Sequence, residues 1–340
     1  MNKQTNQNFP KNLIEAEDLT KENLFQIFEK AKYYEGNYTD GVKFSDLKGV
    51  TVALAFFEAS TRTKLSFELA AKRLSADILS FASAGSSLAK GESLADTIRT
   101  IDAMLIANTS TVSDISESAN ISNAMYVVRN KFSGVPLFIK NITKNIVVNA
   151  GDGKHEHPTQ AILDAYTLLK HYKSFENLKI TIVGDILHSR VARSNITMLQ
   201  TLGAKVRLLA PGTLLPLHLK CWDVEVFDNV DEAINWSDAI ILLRLQNERM
   251  DSGLLPSIKE FAKFYQVNLN NFAKKDKIIL LHPGPVNYGV ELDYSVSKLH
   301  NSMIDRQVTN GVFTRMATMA LLAKSATTAV SIDEPRNNNA

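Results

Sequence analysis

Short β-branched runs alternate with stretches of helical periodicity along almost the whole chain, and this alternation restricts the fold more than any other feature. Strands are predicted over 50–57, 78–81, 125–128, 137–139 and 146–149. A second series covers 179–183, 205–209, 239–243 and 277–281. Parallel strands need a long crossover, usually a helix, so such a pattern predicts parallel sheets covered on both faces. At 340 residues the chain can bury two cores. The expected fold class is α/β: two doubly wound domains, each a mostly parallel sheet with helices on both faces, joined by interdomain helices.

The domain break is expected near a strong central helix over 158–172. There Ala161, Ile162, Ala165, Leu168, Leu169 and Tyr172 share one face. Pro158 suits its first turn, where a missing N–H costs nothing. This helix reads as a connector, with the first domain over 1–156 and the second over 157–306. A final helix, about 307–326, returns to the first domain, and 327–340 reads as a flexible tail.

A net charge of +2 gives no electrostatic case for nucleic acid as main partner. Cys221 is the single cysteine, so neither an intrachain disulfide nor a thiolate zinc cluster is expected. The polar N-terminus does not read as a signal peptide, and no run is apolar enough for a membrane span. A cytoplasmic protein without membrane contact is the expectation.

The densest chemistry lies in Phe56-Phe57-Glu58-Ala59-Ser60-Thr61-Arg62-Thr63-Lys64-Leu65-Ser66-Phe67-Glu68. An apolar strand ends in a hydroxyl-rich turn, and a helical pattern follows. Ser60 and Thr61 are N-cap candidates. Such a turn aims backbone N–H groups, hydroxyls and a guanidinium at one point, which favours an oxyanion such as phosphate. The plainer alternative is an ordinary capped helix with a surface Arg.

Other motifs fall where strands end, as ligand sites do in open α/β sheets. In the run Asn149 to Gln160, a strand leads through a glycine turn to His157-Pro158-Thr159-Gln160. His155 and His157 beside Glu156 have poor spacing for a metal. A neutral imidazole donating to a reacting carbonyl fits better, and a purely helix-capping His is the structural alternative. The loop 83–93 is small and hydroxyl-rich with Lys90 as its cation, either a mobile binding loop or a solvated linker. Arg244 and Gln246 share a face if their strand continues, and together suit a carboxylate; Arg249 follows. Arg190 follows Gly184-Asp185, where no G-x-G-x-x-G appears, so a dinucleotide site is poorly supported. His282-Pro283-Gly284-Pro285-Val286-Asn287 forms a rigid turn whose carbonyls could accept from a substrate amine. The cations and hydroxyls suit small anionic substrates, with positioning and electrostatics supplying most of the catalysis and neither metal nor cofactor expected.

In this order the motifs closely resemble the aspartate carbamoyltransferase family, over about Asp18 to Leu322. The resemblance rests on Phe-Phe-Glu-x-Ser-Thr-Arg-Thr, Ser-x-x-x-Lys-Gly-Glu, His-Pro-Thr-Gln, Arg-x-Gln-x-Glu-Arg and His-Pro-Gly-Pro-Val-Asn. An ornithine enzyme is expected to carry cysteines where Thr159 and Pro283 stand. The resemblance implies carbamoyl transfer from carbamoyl phosphate to the amino group of L-aspartate, by direct attack through a tetrahedral intermediate, in pyrimidine synthesis. It implies a carbamoyl-phosphate domain first and an aspartate domain second.

By the same resemblance, Ser60, Thr61, Arg62, Thr63 and Arg129 hold the phosphate, and Thr63, Arg129, His157 and Gln160 contact the carbamoyl end. Arg62 and His157 polarise the carbonyl, with Thr63 and Lys90 also catalytic. Arg190, Arg244, Gln246, Lys90 and the Gly284-Pro285 turn hold aspartate. Ser86 and Lys90 come from a neighbouring subunit, which implies a homotrimer with shared sites. Glu58 bridges Arg190 and Arg249 when the domains close. A regulatory chain or multienzyme partner is compatible with this picture. The resemblance names no proton acceptor, and the departing phosphate is the candidate. Lys64 and Asn130 stand where Arg and His are usual in the family. Competing readings are a non-catalytic subunit of the same family, a carbamoyltransferase for another amine, and a nicotinamide-dependent dehydrogenase.

Overall fold

The computed structural model describes residues 9–39, 41–82, 91–105, 124–217, 219–246, 254–255 and 257–333. The chain divides into two compact units, the first made of residues 1–153 and 312–340, the second of 154–311.

In the first unit, α1 (Lys21–Asn37) precedes β1 (Thr51–Phe56), α2 (Thr61–Arg73) and β2 (Asp77–Ala82). Then follow α3 (Leu94–Leu105), β3 (Ala124–Asn130), α4 (Val135–Ile142) and β4 (Ile146–Asp152). The four strands pair in parallel in the order β2-β1-β3-β4. Central β1 and β3 carry almost continuous apolar runs because both faces of the sheet are covered. On one face Ala53, Ala55, Tyr126, Val128 and Val147 pack with Ile98 and Ile101 of α3 and Ile139 of α4.

The second unit contains α5 (Pro158–Tyr172), β5 (Lys179–Val183), α6 (Arg190–Leu202), β6 (Lys205–Leu209) and β7 (Glu225–Val226). It continues with α7 (Val230–Trp236), β8 (Ala239–Leu242), α8 (Ile258–Tyr265), α9 (Leu269–Phe272), β9 (Ile279–Leu281) and α10 (Tyr294–Ser297). Its parallel sheet has the order β7-β6-β5-β8-β9. Val183, Leu209, Ile240, Leu242 and Leu280 pack against Val230, Ala233 and Ile234 of α7 and against Phe272. The predicted connector, α5, belongs wholly to this unit, where most of its residues are buried.

Three local expectations need correction. Residues 137–139, expected as a strand, lie in α4. Gly134 in a left-handed conformation opens that helix, and Pro136 sits in its first turn. Leu137 and Phe138 are exposed while Ile139 is buried, the pattern of one helical face rather than a strand core. The edge strand β7 was not predicted, being two exposed residues long. Finally, α11 runs from Ile304 to Asp333, so residues 327–333, expected in the tail, are helical. No Gly or Pro interrupts 312–333, and Pro335 is the first breaker.

Candidate functional site

In each sheet the chain leaves two neighbouring strands in opposite directions: β1 and β3 in the first unit, β5 and β8 in the second. Loops part at such a switch point and leave a crevice at the carboxyl ends of the strands.

At the first switch point β1 runs into Glu58 and then into α2. Ser60 occupies the N-cap in extended conformation, yet its side chain makes no capping hydrogen bond. The predicted cap is therefore right in position and not in bonding. Ser60 is half-buried, Thr61 and Arg62 are exposed, and Thr63 is buried. Phe56 is in register with Arg129 on β3, and the Phe57 N–H donates to the Arg129 carbonyl at 2.8 Å. This register carries Arg129 to the level of the α2 N-terminus. Its Nη1 donates to the Ala150 carbonyl at 3.1 Å, and its Nε lies 3.4 Å from Glu58 Oε2. The unit thus joins a helix N-terminus, hydroxyls and two guanidinium groups, a combination suited to a phosphate.

Asn130 acts locally. Its Oδ1 accepts the Phe132 N–H at 2.9 Å, an Asx turn, and its carbonyl accepts the Gly153 N–H at 3.0 Å.

The second unit begins just before His157, the N-cap of α5, which is buried. Its backbone N–H donates to Ser194 Oγ at 2.7 Å, and Ser194 in turn donates to Glu156. The ring Nδ1 lies 3.5 Å from Thr159 Oγ1, at the limit of a hydrogen bond. Gln160, also buried, donates through Nε2 to Asp164 Oδ1 at 2.9 Å. His157 occupies the N-cap of its helix, and its ring makes no capping hydrogen bond there.

At the second switch point Gly184 has φ +124°, and a Cβ there would lie 2.5 Å from the Leu243 carbonyl oxygen. Only glycine lets the two strand ends come this close. Asp185, fully buried, then spans them. One oxygen accepts the Gln246 N–H at 3.1 Å, and the other accepts from the His188 backbone at 3.2 Å and its Nδ1 at 2.8 Å. Arg190 is buried in the first turn of α6, whose N-cap is Ser189. The strand β8 ends at Leu242, so Arg244 and Gln246 lie beyond it; even so, Arg244 Nη2 donates to Gln246 Oε1 at 3.3 Å.

The His282 turn is built from within. Its ring Nδ1 accepts the Gly284 N–H at 2.8 Å, so Nε2 carries the proton and donates to Glu291 at 3.2 Å. Glu291 also accepts the Asn287 N–H at 2.6 Å, and the Gly284–Pro285 peptide is cis. Ser86, Lys90 and Arg249 lie outside the described residues. The sequence reading missed Asp164, Ser194, Glu291 and Gln307, which bond the functional residues from behind. Asp164 alone had a local signal, its position one helical turn after Gln160. Among the described residues, no group of three or more His, Cys, Asp or Glu side chains is placed to hold a metal.

Fold and site together define a two-unit, doubly wound α/β protein with cationic and hydroxyl side chains gathered at its strand ends. The family model for the carbamoyl-P binding domain of aspartate/ornithine carbamoyltransferase matches residues 11–170, and that for the Asp/Orn binding domain matches 176–322. The chain belongs to the aspartate/ornithine carbamoyltransferase family. It is 46% identical over 319 residues to an aspartate carbamoyltransferase catalytic subunit of Desulfitobacterium hafniense, covering 93% of this chain and 97% of that one. A Trypanosoma cruzi aspartate transcarbamoylase, solved with carbamoyl aspartate and phosphate, superposes with a TM-score of 0.76 at 28% identity, covering 92% of this chain and 96% of that one. The catalytic subunit of the M. jannaschii enzyme gives 0.76 at 29% identity, covering 93% and 98%.

Proposed function

We propose that the chain transfers the carbamoyl group of carbamoyl phosphate to the amino group of L-aspartate, giving N-carbamoyl-L-aspartate and phosphate. The observation that carries this reading is the α2 N-terminus, where Ser60 leaves the cap unbonded and Arg129 stands on the next strand. The relatives support it: the T. cruzi enzyme has been solved with carbamoyl phosphate and aspartate together.

Ser60, Thr61, Arg62, Thr63 and Arg129 take the phosphate, where helix N–H groups and guanidinium stabilise the leaving dianion. His157 and Arg62 polarise the carbonyl, and Gln160 meets the carbamoyl –NH2. Arg190, Arg244 and Gln246 take the aspartate carboxylates, and the Gly284-Pro285 turn faces its amine. Aspartate attacks as the free amine: the C–N bond forms to give a tetrahedral intermediate, and the C–O bond to phosphate then breaks as the departing phosphate takes the amine proton, with no protein nucleophile. The first unit is the carbamoyl-phosphate domain and the second the aspartate domain.

The reading places the protein in the cytoplasm, in pyrimidine synthesis, as a homotrimer to which Ser86 and Lys90 of a neighbouring subunit contribute. Relatives named catalytic subunits support a further partner chain. Among the described residues, no helix is long and apolar enough to cross a membrane. Acceptor competition tests the reading. With aspartate and ornithine at equal concentration, carbamoyl aspartate should form and citrulline should not; citrulline as the main product would overturn it.

A further inference from the structure

Asp164 lies in α5 one turn after Gln160 and is fully buried. Three side-chain amides converge on it. Gln160 Nε2 lies 2.9 Å and Gln307 Nε2 2.7 Å from Oδ1, while Asn195 Nδ2 lies 3.0 Å from Oδ2. Each contact sets an amide nitrogen against a carboxylate oxygen, so each amide turns its –NH2 inward and its carbonyl oxygen away. For Gln307 the outward oxygen accepts the backbone N–H of His282 at 2.8 Å. That N–H opens the turn containing Gly284 and Pro285, which is closed internally through the His282 ring and Glu291.

The same constraint acts on Gln160. With its –NH2 committed to Asp164, the side chain presents Oε1, an acceptor. An acceptor selects an acyl group bearing –NH2 over one bearing –CH3, because only the former can donate to it. A rotated amide would set donor against donor.

We infer that Asp164 is a positioning residue that fixes the Gln160 amide for recognition of the carbamoyl –NH2 and, through Gln307, anchors the His282–Pro285 turn. The inference rests on the carbamoyl-transfer reading. It makes acyl-group specificity depend on a residue that touches no substrate.

The test compares carbamoyl phosphate with acetyl phosphate, whose methyl replaces the –NH2, as donors to L-aspartate in the purified full chain. Asp164→Asn keeps the shape but adds a donor, so the Gln160 amide loses its fixed orientation. In the folded variant, the ratio of kcat/KM for carbamoyl over acetyl phosphate should fall about tenfold, the worth of one hydrogen bond. A general structural defect would lower both rates and leave the ratio unmoved. Adding Asp164→Asn to Gln160→Ala should change the ratio less than about twofold, since one residue acts through the other.

A ratio within about twofold of wild type in folded Asp164→Asn overturns the inference. Should that variant not fold, Gln307→Ala carries the test. It should raise the KM for aspartate at least about threefold while leaving the donor ratio intact, and an unchanged KM overturns the inference. Wild-type protein that makes no carbamoyl aspartate sinks the reaction and the inference together. Active wild type with an insensitive Asp164→Asn sinks the positioning role alone.

Discussion

Glu58 Oε2 lies 3.4 Å from Arg129 Nε, on neighbouring strand ends whose register places Phe56 beside Arg129. A carboxylate near an anion site repels the anion unless a cation neutralises it. Here the pair also orients the guanidinium, with the Ala150 carbonyl holding its other edge.

Arg129→Ala should therefore weaken binding of inorganic phosphate by about ten- to a hundredfold, the range for a lost charge-assisted hydrogen bond together with the loss of the cation beside Glu58. Titration calorimetry with phosphate measures this directly. An affinity within threefold of wild type would remove Arg129 from the phosphate site.

Asp185 ties the ends of β5 and β8 together through the Gln246 N–H and both donors of His188. Asp185→Ala removes the acceptor these donors share, at a cost of about 1–3 kcal/mol for each one that stays unsatisfied. Urea unfolding should show a clear loss of stability. The KM for aspartate should rise as well, because Gln246 loses its anchor; a stable variant with unchanged KM contradicts this arrangement.

Asn130 caps an Asx turn through the Phe132 N–H. Asn130→Ala should cost about 1 kcal/mol of stability, comparable to the loss of a helix cap, with a small effect on kcat. Lys64→Arg should change activity less than about tenfold. A larger change in either rate assigns the residue a part in the chemistry.

The proposed sharing of sites between subunits makes a separate prediction. Lys90→Ala and His157→Ala proteins should each be inactive, yet mixing them under subunit exchange should restore part of the activity. The assay is carbamoyl-aspartate formation before and after exchange, with exchange verified by mass. Hybrids that stay dead would exclude a site completed by a neighbour.

What the sequence made legible was what is contiguous in it. The strand, hydroxyl turn and helix over 51–73 were readable because apolar run, cap and periodicity follow one another without a break. Pro158 marked the start of α5 for the same reason. The apolar run at 137–139 misled because periodicity cannot separate a short buried strand from one helical face. The groups that hold the site residues in place were mostly invisible. Gln307 meets Asp164 from 143 residues away, Ser194 reaches the His157 N–H across 37, and Gln246 meets Asp185 across 61. Such pairs are set by how strands and helices stack, which local pattern does not encode.

The most direct test of the central claim is product stoichiometry. Purified full chain, given carbamoyl phosphate and L-aspartate, should release N-carbamoyl-L-aspartate and phosphate one for one, and His157→Ala should lower that rate by at least about a hundredfold. Phosphate released by the folded wild type without carbamoyl aspartate, or no turnover at all, would contradict the account.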